Sequence, residues 1–137
     1  MSTQPRILLA DDNPEILTRV EEILEGDFRV VGCVADGRSL IEKALALRPN
    51  VAVLEISLPG CSGLNAAKEI HKADPGISFV FLTMHHDPDV CRHVLPDMSF
   101  GYVLKSFAAT ELTVAIRELL AGRSFVSPSA MKYRDVS

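Results

Sequence analysis

No apolar run in this 137-residue chain approaches the roughly 18 residues that a membrane-spanning helix needs, so no membrane association is expected. Pairs of the C-x-x-C type are missing too. Cys33, Cys61 and Cys91 are odd in number and far apart, which predicts three unpaired thiols in a reducing cytoplasm. Basic residues are not in excess: 14 Lys and Arg stand against 18 Asp and Glu. The net charge of −4 makes nucleic acid a poor partner for this chain alone. Internal repeats and low-complexity stretches are absent. The opening residues, Met1 to Arg6, run straight into an apolar strand and lack the form of a signal peptide. What is present, 47% hydrophobic and 23% charged residues, suits one soluble domain with a single core.

Strand-like and helix-like segments alternate five times. Residues 6–10 read as strand one. Helix one follows, with Asn13 as N-cap, Pro14 at the first helical position and Glu15 near the positive end of the dipole. Ile16, Leu17, Val20, Ile23 and Leu24 recur at helical spacing. Residues 28–34 form strand two, and helix two over 38–47 stops before Pro49. It should bury Leu40, Ile41, Ala44 and Leu47. Residues 51–56 are almost continuously apolar, as befits a central strand covered on both faces. Helix three starts near Ser62, strand four covers 77–82, a short helix covers 88–95 and strand five covers 100–104. Helix five buries Leu112, Ala115, Ile116, Leu119 and Leu120, with a poor N-terminal cap because Ala108 and Ala109 stand there.

Such alternation predicts an α/β doubly wound parallel sheet with right-handed crossovers, five strands in the flavodoxin-like order 2-1-3-4-5 and five helices. Ligands on this architecture gather beyond the carboxyl ends of strands one and three. Asp11, Asp12 and Glu55 close those strands, and Thr83 and Lys105 close strands four and five. Three carboxylates at one mouth repel, and in a dry site some would stay protonated unless a cation joined them. Oxygen-only ligands suit Mg²⁺. Lys105 and the Thr83 hydroxyl can hold phosphoryl oxygens, so the cluster has the parts for forming an acyl phosphate.

The motifs I-L-L-A-D-D-N-P, V-L-E-I-S-L-P-G-C-S-G-L, F-L-T-M-H and G-Y-V-L-K-S, at their mutual spacing, resemble the response-regulator receiver domain, CheY-like in fold, over residues 5–121. The wording L-T-M-H and G-Y-V-L-K is similar to receivers of the NarL/FixJ subfamily. The resemblance implies a two-component signalling module, not an enzyme. It also implies a weak Mg²⁺ site made by Asp12 directly, Asp11 through water, Glu55 and the Ser57 carbonyl. Thr83 and Tyr102 would be the switch pair and Lys105 the phosphoryl-binding lysine. Its implied partners are a sensor histidine kinase or another signalling protein, with a homodimer as an option. Residues 122–137 resemble the start of a linker that leads, in that subfamily, to a helix-turn-helix domain.

Glu55 departs from the family, which carries its phosphorylated aspartate there. One added methylene advances the carboxylate by up to about 1.5 Å. That spoils the geometry of attack on a phosphodonor and moves the carboxylate toward Thr83 and Lys105. We therefore expect Glu55 to escape phosphorylation. Either it biases the domain toward the active conformer, or it leaves an inert docking module.

Asp11 and Asp12 could merely cap helix one, and Tyr102 could merely pack. His85, His86 and His93 read as solvated, Cys61 has no base beside it, and Gly60 and Gly63 serve a turn. A flavin-binding electron carrier on the same fold needs a hydroxyl- and glycine-rich loop after strand one, where this chain is acidic. A Mg²⁺-dependent phosphohydrolase wants a nucleophile on strand one with a general acid two residues on, which Asn13 and Pro14 do not supply.

Overall fold

The computed structural model describes residues 4–84, 88–96 and 98–128. The described residues form a parallel sheet in the order β2-β1-β3-β4-β5-β6. Its strands are β1 (Arg6–Ala10), β2 (Arg29–Val34), β3 (Val51–Leu54), β4 (Ser78–Thr83), β5 (Phe100–Leu104) and β6 (Phe125–Val126). Five helices connect them: α1 (Pro14–Leu24), α2 (Gly37–Leu47), α3 (Gly63–Ala73), α4 (Pro88–Val94) and α5 (Ala108–Leu120). The expected order holds for the first five strands. The expected count of five does not, because Phe125 and Val126 pair with Gly101 and Tyr102 at the open edge of β5. Two residues carry no readable alternation, so only the waiting edge reveals them as a strand.

Local chemistry explains the element ends. Asn13 Oδ1 accepts the backbone N–H groups of Glu15 and Ile16, and Pro14 follows at the first helical position. α2 starts at Gly37, one residue earlier than expected, because Asp36 caps it by accepting the Ser39 N–H at 2.8 Å. Ser62 caps α3. α5 has no side-chain cap; a 3-10 turn over Lys105–Phe107 leads into it instead. β3 ends at Leu54, two residues short of the expected end, so Glu55 is the first residue beyond the strand.

The sheet is covered on both faces. Leu8, Ala52, Leu54, Phe79, Phe81 and Tyr102 face α2, α3 and α4 in one cluster. Ile7, Leu9, Val51, Val53, Val80 and Val103 face α1 and α5 in the other. Alternate residues of one strand thus serve opposite cores, which is why 51–54 is apolar without a break. Leu120 was expected in the core, but it is an exposed residue on α5, while Ile41 and Leu47 are only partly buried. No helix among the described residues is long and apolar enough to cross a membrane.

Candidate functional site

Asp11 and Glu55 each follow directly on a central strand, and each is tied locally before it meets anything else. Asp11 Oδ1 accepts the Asn13 N–H at 2.9 Å. Glu55 donates its backbone N–H to Ala10 O, and its Oε2 accepts the Ser57 N–H at 3.1 Å. These turns aim the remaining carboxylate oxygens at one point. Lys105 occupies it, with Nζ 2.8 Å from Asp11 Oδ2 and 2.8 Å from Glu55 Oε1. The three side chains are 14%, 4% and 9% exposed, so the cluster is a buried ion triad and not a surface pair.

Thr83 ends β4 at 1% exposure, and Tyr102 lies on β5 wholly buried in the cluster with Phe81, Cys91 and Leu95. Asp12 and Ser57 are both exposed. Asp11, Glu55 and Lys105 therefore converge as expected, while Asp12 stands at the rim. Apolar side chains of Ile16, Leu17, Val20 and Leu82 line a hollow beside the two carboxylates, which keeps the local dielectric low.

The charge logic differs from the expected repulsion. Burial pushes the Glu55 carboxyl up, but the Lys105 hydrogen bond, the Ser57 N–H, the Lys105 charge and Thr83 together outweigh it. The carboxyl titrates below its ordinary value of 4.5. Burial likewise pushes the Lys105 ammonium down, and hydrogen bonds and charge from Asp11 and Glu55 reverse this, so it titrates above 10.5. The joining cation is the protein's own lysine.

A pH dependence follows. Glu55, lowered on folding, stabilises the protein above its unfolded value and loses that contribution as pH falls through its folded value. Lys105, raised on folding, contributes fully below 10.5 and loses its contribution as pH rises through its folded value. The stability gap between the protein and Glu55→Gln, from urea unfolding, should therefore close in acid below 4.5 and stay open near neutrality. A gap that persists undiminished in strong acid would show that ionisation of Glu55 is not its source.

The loop after β3 is held from two sides by glycines. A Cβ on Gly63 would lie 2.2 Å from the Glu55 carbonyl oxygen, and one on Gly37 would lie 2.0 Å from the Cys61 carbonyl oxygen. Gly60 has φ +81, in the left-handed region that glycine tolerates. Gly60 and Gly63 belong to the turn that the sequence announces, whereas the role of Gly37 depends on a contact 24 residues away and has no local signal. Cys61 is half-buried beside this loop and His93 is exposed on α4. His85 and His86 lie outside the described residues. Among the described residues no group of three His, Cys, Asp or Glu is arranged to hold a metal ion.

Comparison with known proteins agrees with this architecture. The profile of the response regulator receiver domain matches residues 7–117. The oxygen regulatory protein NreC of Staphylococcus epidermidis is 36% identical over 124 residues, covering 88% of this chain and 57% of NreC. NreC of Staphylococcus haemolyticus is 33% identical over the same coverage. The chain thus spans little more than half the length of these curated relatives. Among solved structures, a LuxR-family two-component response regulator from an Aurantimonas species superposes with TM-score 0.86 at 28% identity, covering 98% of this chain and all of that one. The isolated receiver domain of RcsB from Salmonella enterica serovar Typhimurium, solved with the phosphomimetic BeF3-, gives 0.83 at 31% identity, covering 95% and 98%. Neither the flavin carrier nor the phosphohydrolase is favoured by these matches. A parallel sheet in the order 2-1-3-4-5-6, an acid-and-lysine cluster at its carboxyl edge and a profile match over most of the sequence lead to one conclusion: the chain belongs to the response regulator receiver domain family, with NarL- and LuxR-type relatives.

Proposed function

We propose that this receiver works without phosphorylation, held toward an active-like conformer by the ion pair between Glu55 and Lys105. The observation that carries this reading is the 2.8 Å contact between Glu55 Oε1 and Lys105 Nζ with Tyr102 wholly buried. Glu55 stands where the family's phosphoacceptor stands, and its longer side chain reaches Lys105, the group that would otherwise take a phosphoryl oxygen. One carboxylate brings about one negative charge against roughly 1.5 to 2 for a phosphoryl group, so the bias is partial. A ligand shifts a conformational equilibrium only through its differential contact with the two states, and the same holds for a built-in side chain. Tyr102 and Thr83 are the residues that report which state prevails.

Asp11, Asp12, Glu55 and the Ser57 carbonyl have the oxygen chemistry Mg²⁺ wants, but they fit it only in part. Lys105 already neutralises Asp11 and Glu55, and Asp12 alone faces solvent. Mg²⁺ binding is therefore weak and centred on Asp12. The partners we propose are a sensor histidine kinase or another cytoplasmic signalling protein. A second copy of the chain is a further candidate, since RcsB, 31% identical, is described as dimers on DNA. DNA contact by this chain alone is disfavoured by its net charge of −4. Residues 122–137 would link to an output domain in a longer protein.

Incubation with acetyl phosphate and Mg²⁺ tests the reading. Intact mass should stay unchanged, while Glu55→Asp gains a phosphoryl group. Without a donor, Glu55→Asp should loosen the environment of Tyr102, seen in tyrosine ring resonances. A stable adduct mapped to Glu55, or a Tyr102 environment indifferent to Glu55→Asp, would overturn it.

A further inference from the structure

β5 is anchored at both ends by groups from distant parts of the chain. Its carboxyl end delivers Lys105 to Asp11 and Glu55. Its outer edge is covered by residues 124–127. Ser124 Oγ accepts the Phe100 N–H at 3.2 Å, Phe125 and Val126 pair with Gly101 and Tyr102, and the Ser127 N–H donates to the Tyr102 carbonyl at 2.7 Å. The two strand residues straddle the sheet. Val126 packs on the cluster that contains Tyr102, and Phe125 on the cluster that contains Val103. Ser127 is fully buried, and its hydroxyl donates to the Glu111 carboxylate of α5.

We infer that residues 124–127 form a strap whose docking on β5 is linked to the ion triad, so that the strap is held or released with the state of the site. This rests on the reading of the domain as a conformational switch. The physical reason is economy of contact. A two-residue strand is held only by a few edge hydrogen bonds and two half-buried side chains, so it belongs to the segments that open at small free-energy cost. Every one of its β-pairings is to β5, the five-residue strand that Lys105 directly follows. An arrangement that repositions Lys105 or Tyr102 changes the surface on which the strap rests. By thermodynamic reciprocity, strap release must change the triad by the same factor. Such a link gives the site a line of output along its own chain, independent of any partner surface on the helices.

Amide hydrogen exchange on the whole chain tests this from both ends. In Glu55→Gln, which keeps the side chain's shape and leaves Lys105 on Asp11, the amide of Ser127, bonded to the Tyr102 carbonyl, should exchange faster by a factor within the 5- to 150-fold range typical of coupled sites. Leu9 and Val53, in the sheet centre, should be unchanged. In Ser127→Ala, which removes only the bond to Glu111, the Glu55 carboxyl titration read by carbon NMR should move. A Ser127 amide indifferent to Glu55→Gln, or an acceleration shared equally by Leu9 and Val53, would overturn the inference. So would a Glu55 titration blind to Ser127→Ala. The switch reading fails separately, through the Tyr102 response to Glu55→Asp.

Discussion

Lys105→Met is expected to cost about 3–5 kcal/mol of stability, the range for removing one partner of a buried ion cluster. The loss is large because it strands two carboxylates, not one. Asp11 and Glu55 are only 4% and 9% exposed at the side chain, and both aim an oxygen at the space the ammonium fills. Water reaches that space poorly, since the Lys105 side chain that fills it is itself only 14% exposed. Without the lysine, burial and mutual repulsion act unopposed, and the Glu55 carboxyl should move from below its ordinary value of 4.5 to above it. The vacated carboxylates should also take up Mg²⁺ more tightly than the starting protein does. Urea unfolding gives the stability, carbon NMR the titration and calorimetry the metal affinity. A loss under about 1 kcal/mol would place the triad with solvated surface pairs and remove its claim to hold the domain's conformation.

Gly63→Ala should be nearly as damaging, although it replaces no charged group. The added methyl would sit 2.2 Å from the Glu55 carbonyl oxygen and 3.0 Å from the Ile56 Cα. Both are backbone atoms, so no flexible side chain can give way, and the cost should reach about 3 kcal/mol, the upper part of the overpacking range. The strain falls on the turn that positions Glu55: the Gly63 N–H donates to Ile56 O at 2.6 Å. Relief must displace that turn and draw the carboxylate from Lys105. Gly26→Ala is the natural control. Gly26 has φ +93 but nothing within 4 Å of the added Cβ, so only backbone strain of about 1 kcal/mol is expected. Denaturant unfolding of both variants checks the contrast, and equal losses would mean that the close approach at Gly63 is readily relaxed.

Much of this architecture is legible in the amino-acid sequence. The run of apolar residues at 51–54 announces a strand buried on both faces, because neighbouring residues must serve opposite clusters. Asn13-Pro14 announces a helix start, since cap and first-turn chemistry are local. The identity of the acids and the lysine at the strand ends was equally plain, and strand order brings Asp11, Glu55 and Lys105 to one edge. Less legible was which charge meets which. Adjacent Asp11 and Asp12 read alike, yet one is buried on Lys105 and the other exposed. A one-residue step around the turn after β1 separates them, and local sequence does not encode its direction.

Amino-acid order alone determined the alternation of elements, the caps, the two-sided core and the unusual acid at position 55, because each depends on neighbours a few residues apart. Tertiary structure decided that Lys105 itself supplies the cation between Asp11 and Glu55, that Gly37 and Gly63 clamp the loop behind them, and that residues 125 and 126 complete the sheet as β6. Those outcomes rest on contacts between groups separated by tens of residues. Distance, burial and the need to neutralise charge select among arrangements that the linear pattern leaves equivalent.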